Sequence, residues 1–185
     1  MSTKQDVKTY SSGSIFFHWI VALLVIIMLI FGFFLDSIPD QYAPTAYMMH
    51  KSVGLTILAL MLMRLLWIIH SGRPPLPAST PVWEIILARS VQYALYFFVI
   101  LMPLTGWTMS VAAGKIPVFF GLFKVPFLDL RPDEALAKSL AEAHEAIALI
   151  IIGLLILHVA GALKHHFIDK DNVLKRMLPG NKEDK

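Results

Sequence analysis

The chain has 185 residues, 57% of them hydrophobic and 16% charged, with a formal net charge of +3. A mean hydropathy of +0.67 excludes an ordinary water-soluble domain, in which about 25% of residues are charged. The absence of cysteine excludes disulfides, iron–sulfur clusters, thiolate ligation and thiol catalysis.

In chain order, a polar leader, MSTKQDVKTYSSGS, precedes four apolar runs at about 15–35, 46–69, 85–107 and 143–163. Each is close to the ~20 residues that cross ~30 Å of hydrocarbon as a helix. No small-residue cleavage site follows the first run, so that span is expected to stay. The first connection, DSIPDQYAPT, contains no Lys or Arg. The second, SGRPPLPASTP, is too rich in proline for helix. Pro103 lies inside the third run and predicts a kink, which membrane helices tolerate. The longest connection, about 108–140, carries Phe119, Phe120, Phe123 and Phe127, a composition suited to a segment lying at the membrane surface. Connections of this length are uncommon unless functional. Within it, RPDEALAKSLAEAHEA reads as the approach to the fourth helix, with Pro132 followed by acidic residues. Residues 168–185 form a polar tail.

The expected fold is therefore an all-α membrane protein, one domain over 1–185, built as an antiparallel four-helix bundle. Open sheets cannot span lipid. With both termini inside, only Lys51, Lys115, Lys124, Arg131 and Lys138 of the 16 Lys and Arg fall outside. The positive-inside rule favours this N-in, C-in orientation. The pI of 9.2 is accounted for in the same way and does not point to nucleic acid. Trp19, Trp67, Trp83 and Trp107 fall near span ends, as interfacial anchors do.

Four histidines lie within or at the edge of the spans: His18, His50, His144 and His158. An intramembrane histidine is a functional candidate, although a single one serves equally well as a hydrogen bonder between helices. The spacing says more. His144 and His158 are separated by 14 residues, which returns to within ~40° of one helix face after ~21 Å of rise. His50, at the outer start of helix 2, matches His144 in depth, and His18, at the inner start of helix 1, matches His158. Two facing pairs stacked across a bilayer are what two bis-imidazole haems require. Structural zinc wants four ligands and copper sites usually add Cys or Met; HEAIA lacks the second His of the HExxH motif.

Other residues take supporting roles. Gly54, one turn after His50, can give a flat porphyrin clearance; Gly153 and Gly161 can do so or pack helices. Arg64 lies 14 residues after His50, near the inner level, where it can hold a propionate or snorkel to the headgroups. Lys51, beside His50, can help attract an anion. His165, two turns beyond His158 on the same face, is a candidate contact for a propionate or a quinone carbonyl. His166 is expected to be solvated and His70 interfacial.

FFHWI, MMHKSVG, AHEAIA and LHVAGALKHHFIDKDNVLKRML together resemble the bacterial cytochrome b561 family, with the same spans and the same order of histidines. The proline-rich connector and the long outer loop match poorly. The resemblance implies two haem b groups, with His18 paired to His158 and His50 to His144. It implies a multi-pass inner-membrane cytochrome that exchanges electrons with ubiquinone or another quinone, with periplasmic superoxide as one candidate donor. The alternative is a haem-containing membrane anchor that accepts electrons from a periplasmic partner. Homodimerisation is compatible with either.

Overall fold

The computed structural model describes residues 9–126 and 130–180. Four long helices dominate it: α1 (Ser12–Phe34), α2 (Ala43–Ser71), α3 (Val82–Ala112) and α4 (Glu134–Phe167). All four are long and apolar enough to cross a membrane. Their outward faces stay apolar, as at Phe16, Leu66, Ile86 and Ile156, each more than 60% exposed. In water that surface would be a liability; in lipid it is the expected solvent face.

Local chemistry sets the helix ends. Ser11 caps α1, its hydroxyl accepting from Ser14 N at 3.3 Å. Pro44 sits in the first turn of α2, where its missing N–H costs nothing. Gly72 ends α2 at φ 76°, a left-handed geometry that suits glycine. Asp133 caps α4 by accepting from Leu136 N at 3.0 Å. This start lies nine residues before the apolar run predicted at 143. The first turns of α4 are amphipathic and capped rather than uniformly apolar, so a hydropathy window misses them.

Neighbouring helices run antiparallel. The start of α1 meets the end of α2 through Ser14 Oγ and Ser71 Oγ at 3.3 Å. The end of α3 meets the start of α4, where Asp133 N donates to Ala112 O at 2.9 Å. At the other end of that pair, Lys164 of α4 donates to Glu84 of α3 at 2.8 Å. Gly13 lets α1 approach α2 closely, since a Cβ there would collide with the Trp67 indole. Midway along the bundle Val21, Val25, Ile57, Met61, Val99, Ile147 and Ile151 form the buried core, with contributions from every helix.

The long outer connection is partly built. Strands β1 (Val118–Phe119) and β2 (Phe123–Lys124) pair antiparallel. Leu122 N donates to Phe119 O at 2.9 Å, and both central residues of the turn, Phe120 (φ 45°) and Gly121 (φ 78°), are left-handed. That is the backbone of a type I′ turn. The hairpin docks on α2 through Ser52, whose Oγ accepts from Phe120 N at 2.8 Å. Phe127 lies outside the described residues. In the tail no α-helix follows α4 among the described residues; the chain makes only a short 3-10 turn at Lys175–Met177.

Candidate cofactor site

Helix α4 carries His144 and His158, and each meets a histidine from another helix. The ring centres of His50 and His144 are 6.4 Å apart, with planes inclined by 67°. Those of His18 and His158 are 6.1 Å apart, inclined by 59°. On α4 the core residues Ile147 and Ile151 lie between the two histidines in sequence.

The level with His50 and His144, the one expected on the outer side, opens into a cavity of about 560 Å³, within the range of small-molecule and cofactor sites. Gly32, Gly54 and Gly106 line it. A Cβ on Gly54 would meet nothing within 4 Å, so this glycine borders open space. One on Gly32 would lie 3.7 Å from His50 Cε1 and one on Gly106 2.9 Å from His144 Cε1. Lys51 and the hydrogen-bonded pair Tyr47–Asp36 (2.5 Å) also line the cavity. Thr105 Oγ1 is 3.1 Å from His144 Nδ1 and donates to Met102 O at 2.8 Å. His50 Nδ1 is buried with no hydrogen-bond partner among the described residues.

The inner level is basic and aromatic. Arg64 Nη2 lies 3.0 Å from His18 Nδ1, and its guanidinium is 5.0 Å from the centre of the Tyr96 ring. The Arg73 guanidinium stacks on Tyr93 and Tyr96 at 5.1 and 5.4 Å. Arg89 donates to Gln92 at 3.2 Å. Burial pushes the Tyr10 hydroxyl up in pKa against the opposing pull of Arg89, Arg73 and Arg64. No carboxylate is ion-paired with these arginines among the described residues.

His165 is buried and bonded to carboxylates: its Nδ1 is 2.7 Å from Asp171 Oδ2 and 3.3 Å from Asp169 Oδ2. That commits Nδ1 and leaves only Nε2 for another contact. Glu84, His165 and Asp169 bring ligand atoms within 4.8 Å of one another, but the Lys164 ammonium already bridges Glu84 and Asp169. His166 departs from expectation: it is half-buried, and its buried Nδ1 has no partner among the described residues. His70 is exposed. A Cβ placed on Gly153 or Gly161 would meet nothing within 4 Å, so no close helix packing depends on either. Trp19, Trp67 and Trp107 direct their indole N–H groups to Met177 O, Ser11 Oγ and Val125 O. They are structural ties as well as residues of the span ends.

Thr105 and Gly106 escape sequence reading. A threonine and a glycine in a membrane helix are ordinary packing residues. Only their position two and three residues after Pro103, at the depth of His144, could have marked them.

Four helices long and apolar enough to cross a membrane, with histidines paired at two levels, describe a multi-pass membrane bundle. The family model described as prokaryotic cytochrome b561 matches residues 9–180. The chain is 34% identical over 187 residues to cytochrome b561 homolog 2 of Escherichia coli (strain K12), covering 100% of this chain and 98% of that one. It is 33% identical over 172 residues to the probable superoxide oxidase CybB of Yersinia pestis, covering 93% and 97%. Cytochrome b561 homolog 1 of Escherichia coli (strain K12) is 30% identical over 180 residues, covering 94% and 98%. This chain belongs to the prokaryotic cytochrome b561 family. It is a bacterial multi-pass membrane cytochrome of electron transfer, and its family implies b-type haem.

Proposed function

We propose that the chain is a dihaem cytochrome of the inner membrane that carries electrons between a periplasmic donor and the quinone pool. The observation that supports this most is the pairing of histidines at two depths. A metal–imidazole bond of about 2 Å on each side, plus about 1 Å from each nitrogen to its ring centre, sets two axial imidazoles about 6 Å apart. The distances of 6.4 and 6.1 Å fit one iron per pair. His50 with His144 holds the outer group and His18 with His158 the inner one. Gly54 leaves room for a porphyrin face.

Haem, when bound, supplies a one-electron ferric/ferrous couple. The side chains do the rest. Two histidines holding each iron would leave it no open coordination position, which would disfavour oxygen binding and favour outer-sphere transfer. The apolar core between the levels excludes water. At the inner level Arg64 is donor-only, so His18 Nδ1 accepts from it. With Nε2 given to a metal, His18 would carry its proton on Nδ1 and Arg64 would need an acceptor of its own. A haem propionate would be such an acceptor, and the nearby Arg73 and Tyr10 would suit the same carboxylates.

Superoxide is the proposed donor. Support comes from the relative named as a probable superoxide oxidase and from Lys51, which lines the outer cavity. Its positive charge would help an anion approach past Asp36 and Glu145 in the same lining. Ubiquinone or another quinone is the proposed acceptor, with the free Nε2 of His165 a candidate contact.

The pairing is tested by haem content. The wild type is expected to bind two haems, and His50→Ala and His158→Ala one each; retention of both in either variant refutes it. Superoxide is then mixed with the purified chain in a stopped-flow instrument. Rapid growth of a reduced b-type α-band supports the oxidoreductase. No reduction at useful rates leaves the anchor that serves a periplasmic partner.

A further inference from the structure

The outer histidine pair is not symmetric in its surroundings. His50 Nδ1 has no protein partner among the described residues, whereas His144 Nδ1 faces Thr105 Oγ1 at 3.1 Å. A threonine hydroxyl has one proton to give. At 2.8 Å from Met102 O, Thr105 must give it there, because a carbonyl cannot donate and two acceptors at that distance would repel. The Oγ1 lone pair is therefore what His144 meets, and the imidazole must be the donor. The chain of bonds runs from His144 Nδ1–H to Thr105 Oγ1, and from Thr105 Oγ1–H to the Met102 carbonyl.

Gly106 completes the seat from the next position on α3. A Cβ there would lie 2.9 Å from His144 Cε1 and 3.3 Å from Nδ1, inside ordinary contact distance. The ring edge thus rests on bare backbone, and its rotation is limited by α3 on one side and the hydroxyl on the other.

We propose that Thr105 and Gly106 are positioning residues that hold His144 with its proton on Nδ1 and its Nε2 lone pair free for a metal. This rests on the haem reading above. The physical consequence is twofold. The tautomer is set before any metal arrives, so no proton has to be relocated on binding. A ligating histidine whose other nitrogen donates a hydrogen bond is also a stronger electron donor, as the carboxylates and carbonyls behind metal-bound histidines show. That stabilises the ferric form and lowers the potential of the group His144 holds.

The experiment uses the full-length protein with its native haem complement and compares Thr105→Val with Thr105→Ser. Redox titration followed at the α-band is the readout, with the low-spin ferric EPR signals as a second. In Thr105→Val the ratio of reduced to oxidised outer haem at fixed potential is expected to rise about threefold, or about 30 mV at about 59 mV per tenfold for a one-electron couple. The outer EPR signal should shift, and the inner haem should keep its potential. Thr105→Ser, which keeps the hydroxyl, should restore wild-type values. Loss of the outer haem in Val with recovery in Ser supports the proposal equally. Identical titrations in all three proteins overturn it, as does an equal shift or equal haem loss in Ser and Val, because the hydroxyl would then be irrelevant. Gly106→Ala tests the second half: alanine favours helix over glycine, yet outer-haem content is expected to fall, and unchanged content removes Gly106 from the seat. If the wild type lacks two haems, the failure lies in the underlying haem reading, and the wild-type spectrum alone reveals it.

Discussion

Single side chains decide how each histidine can be used. At His18 the neighbour is a cation; at His144 it is a hydroxyl that has already given up its proton. Arg64 therefore provides a test confined to the inner level. Replacing it with Gln removes a positive charge that favours the reduced, less positive form of a bound metal. On the proposed dihaem reading, the reduced-to-oxidised ratio of the inner haem at fixed potential is expected to fall by about tenfold, or about 1.4 kcal/mol, while the outer couple is unmoved. A redox titration that shows both couples shifted, or neither, contradicts the placement. The four histidines and Arg64 were legible in the sequence because ionisable groups in apolar runs stand out and 14-residue spacing survives any helix. The partners of the ring nitrogens were not legible. A hydrogen bond from α4 to α3 depends on rotation between helices, which no single-helix periodicity contains. The same reason hid the Asp171 partner of His165, which comes from the tail folding back after α4 ends.

At the scale of elements, the apolar cores of the spans could be read, while the ends could not. Hydropathy follows the hydrocarbon, whereas helices end where caps and prolines stop them. Helix α4 has 34 residues, about 51 Å at 1.5 Å per residue, and so extends well past ~30 Å of hydrocarbon. The phenylalanine-rich connection was expected as a surface segment; it contains a hairpin pinned to α2 by one buried hydroxyl, that of Ser52, only 1% exposed. Ser52→Ala leaves Phe120 N–H without its acceptor, at a cost of about 1–3 kcal/mol. Hydrogen exchange at Phe120 is expected to accelerate by roughly 5- to 150-fold, the equivalent of that cost, with the helix centres unchanged. Protection equal to wild type would mean that the hairpin is held by something other than Ser52.

For the molecule as a whole, an even number of crossings places both ends of the chain on one side. The distribution of Lys and Arg is the ground for proposing that this side faces the cytoplasm. A reporter that is active only in the cytoplasm should work when fused to either terminus; activity at one terminus alone would break the four-span topology, and silence at both would invert it.

The core that separates the histidine levels has an electrical meaning. Val21, Val25, Ile57, Met61, Val99, Ile147 and Ile151 are buried and none of them carries an ionisable group, so these seven residues hold no proton to pass on. On the dihaem reading proposed above, an electron that passes from one level to the other would travel without a proton carried by these seven residues. The passage is a displacement of net charge through a thin insulator, and its equilibrium is linked to the voltage across the membrane by up to about 2.3 kcal/mol per 100 mV for a full crossing. An energised, inside-negative membrane opposes inward electron flow, and a collapsed one releases it.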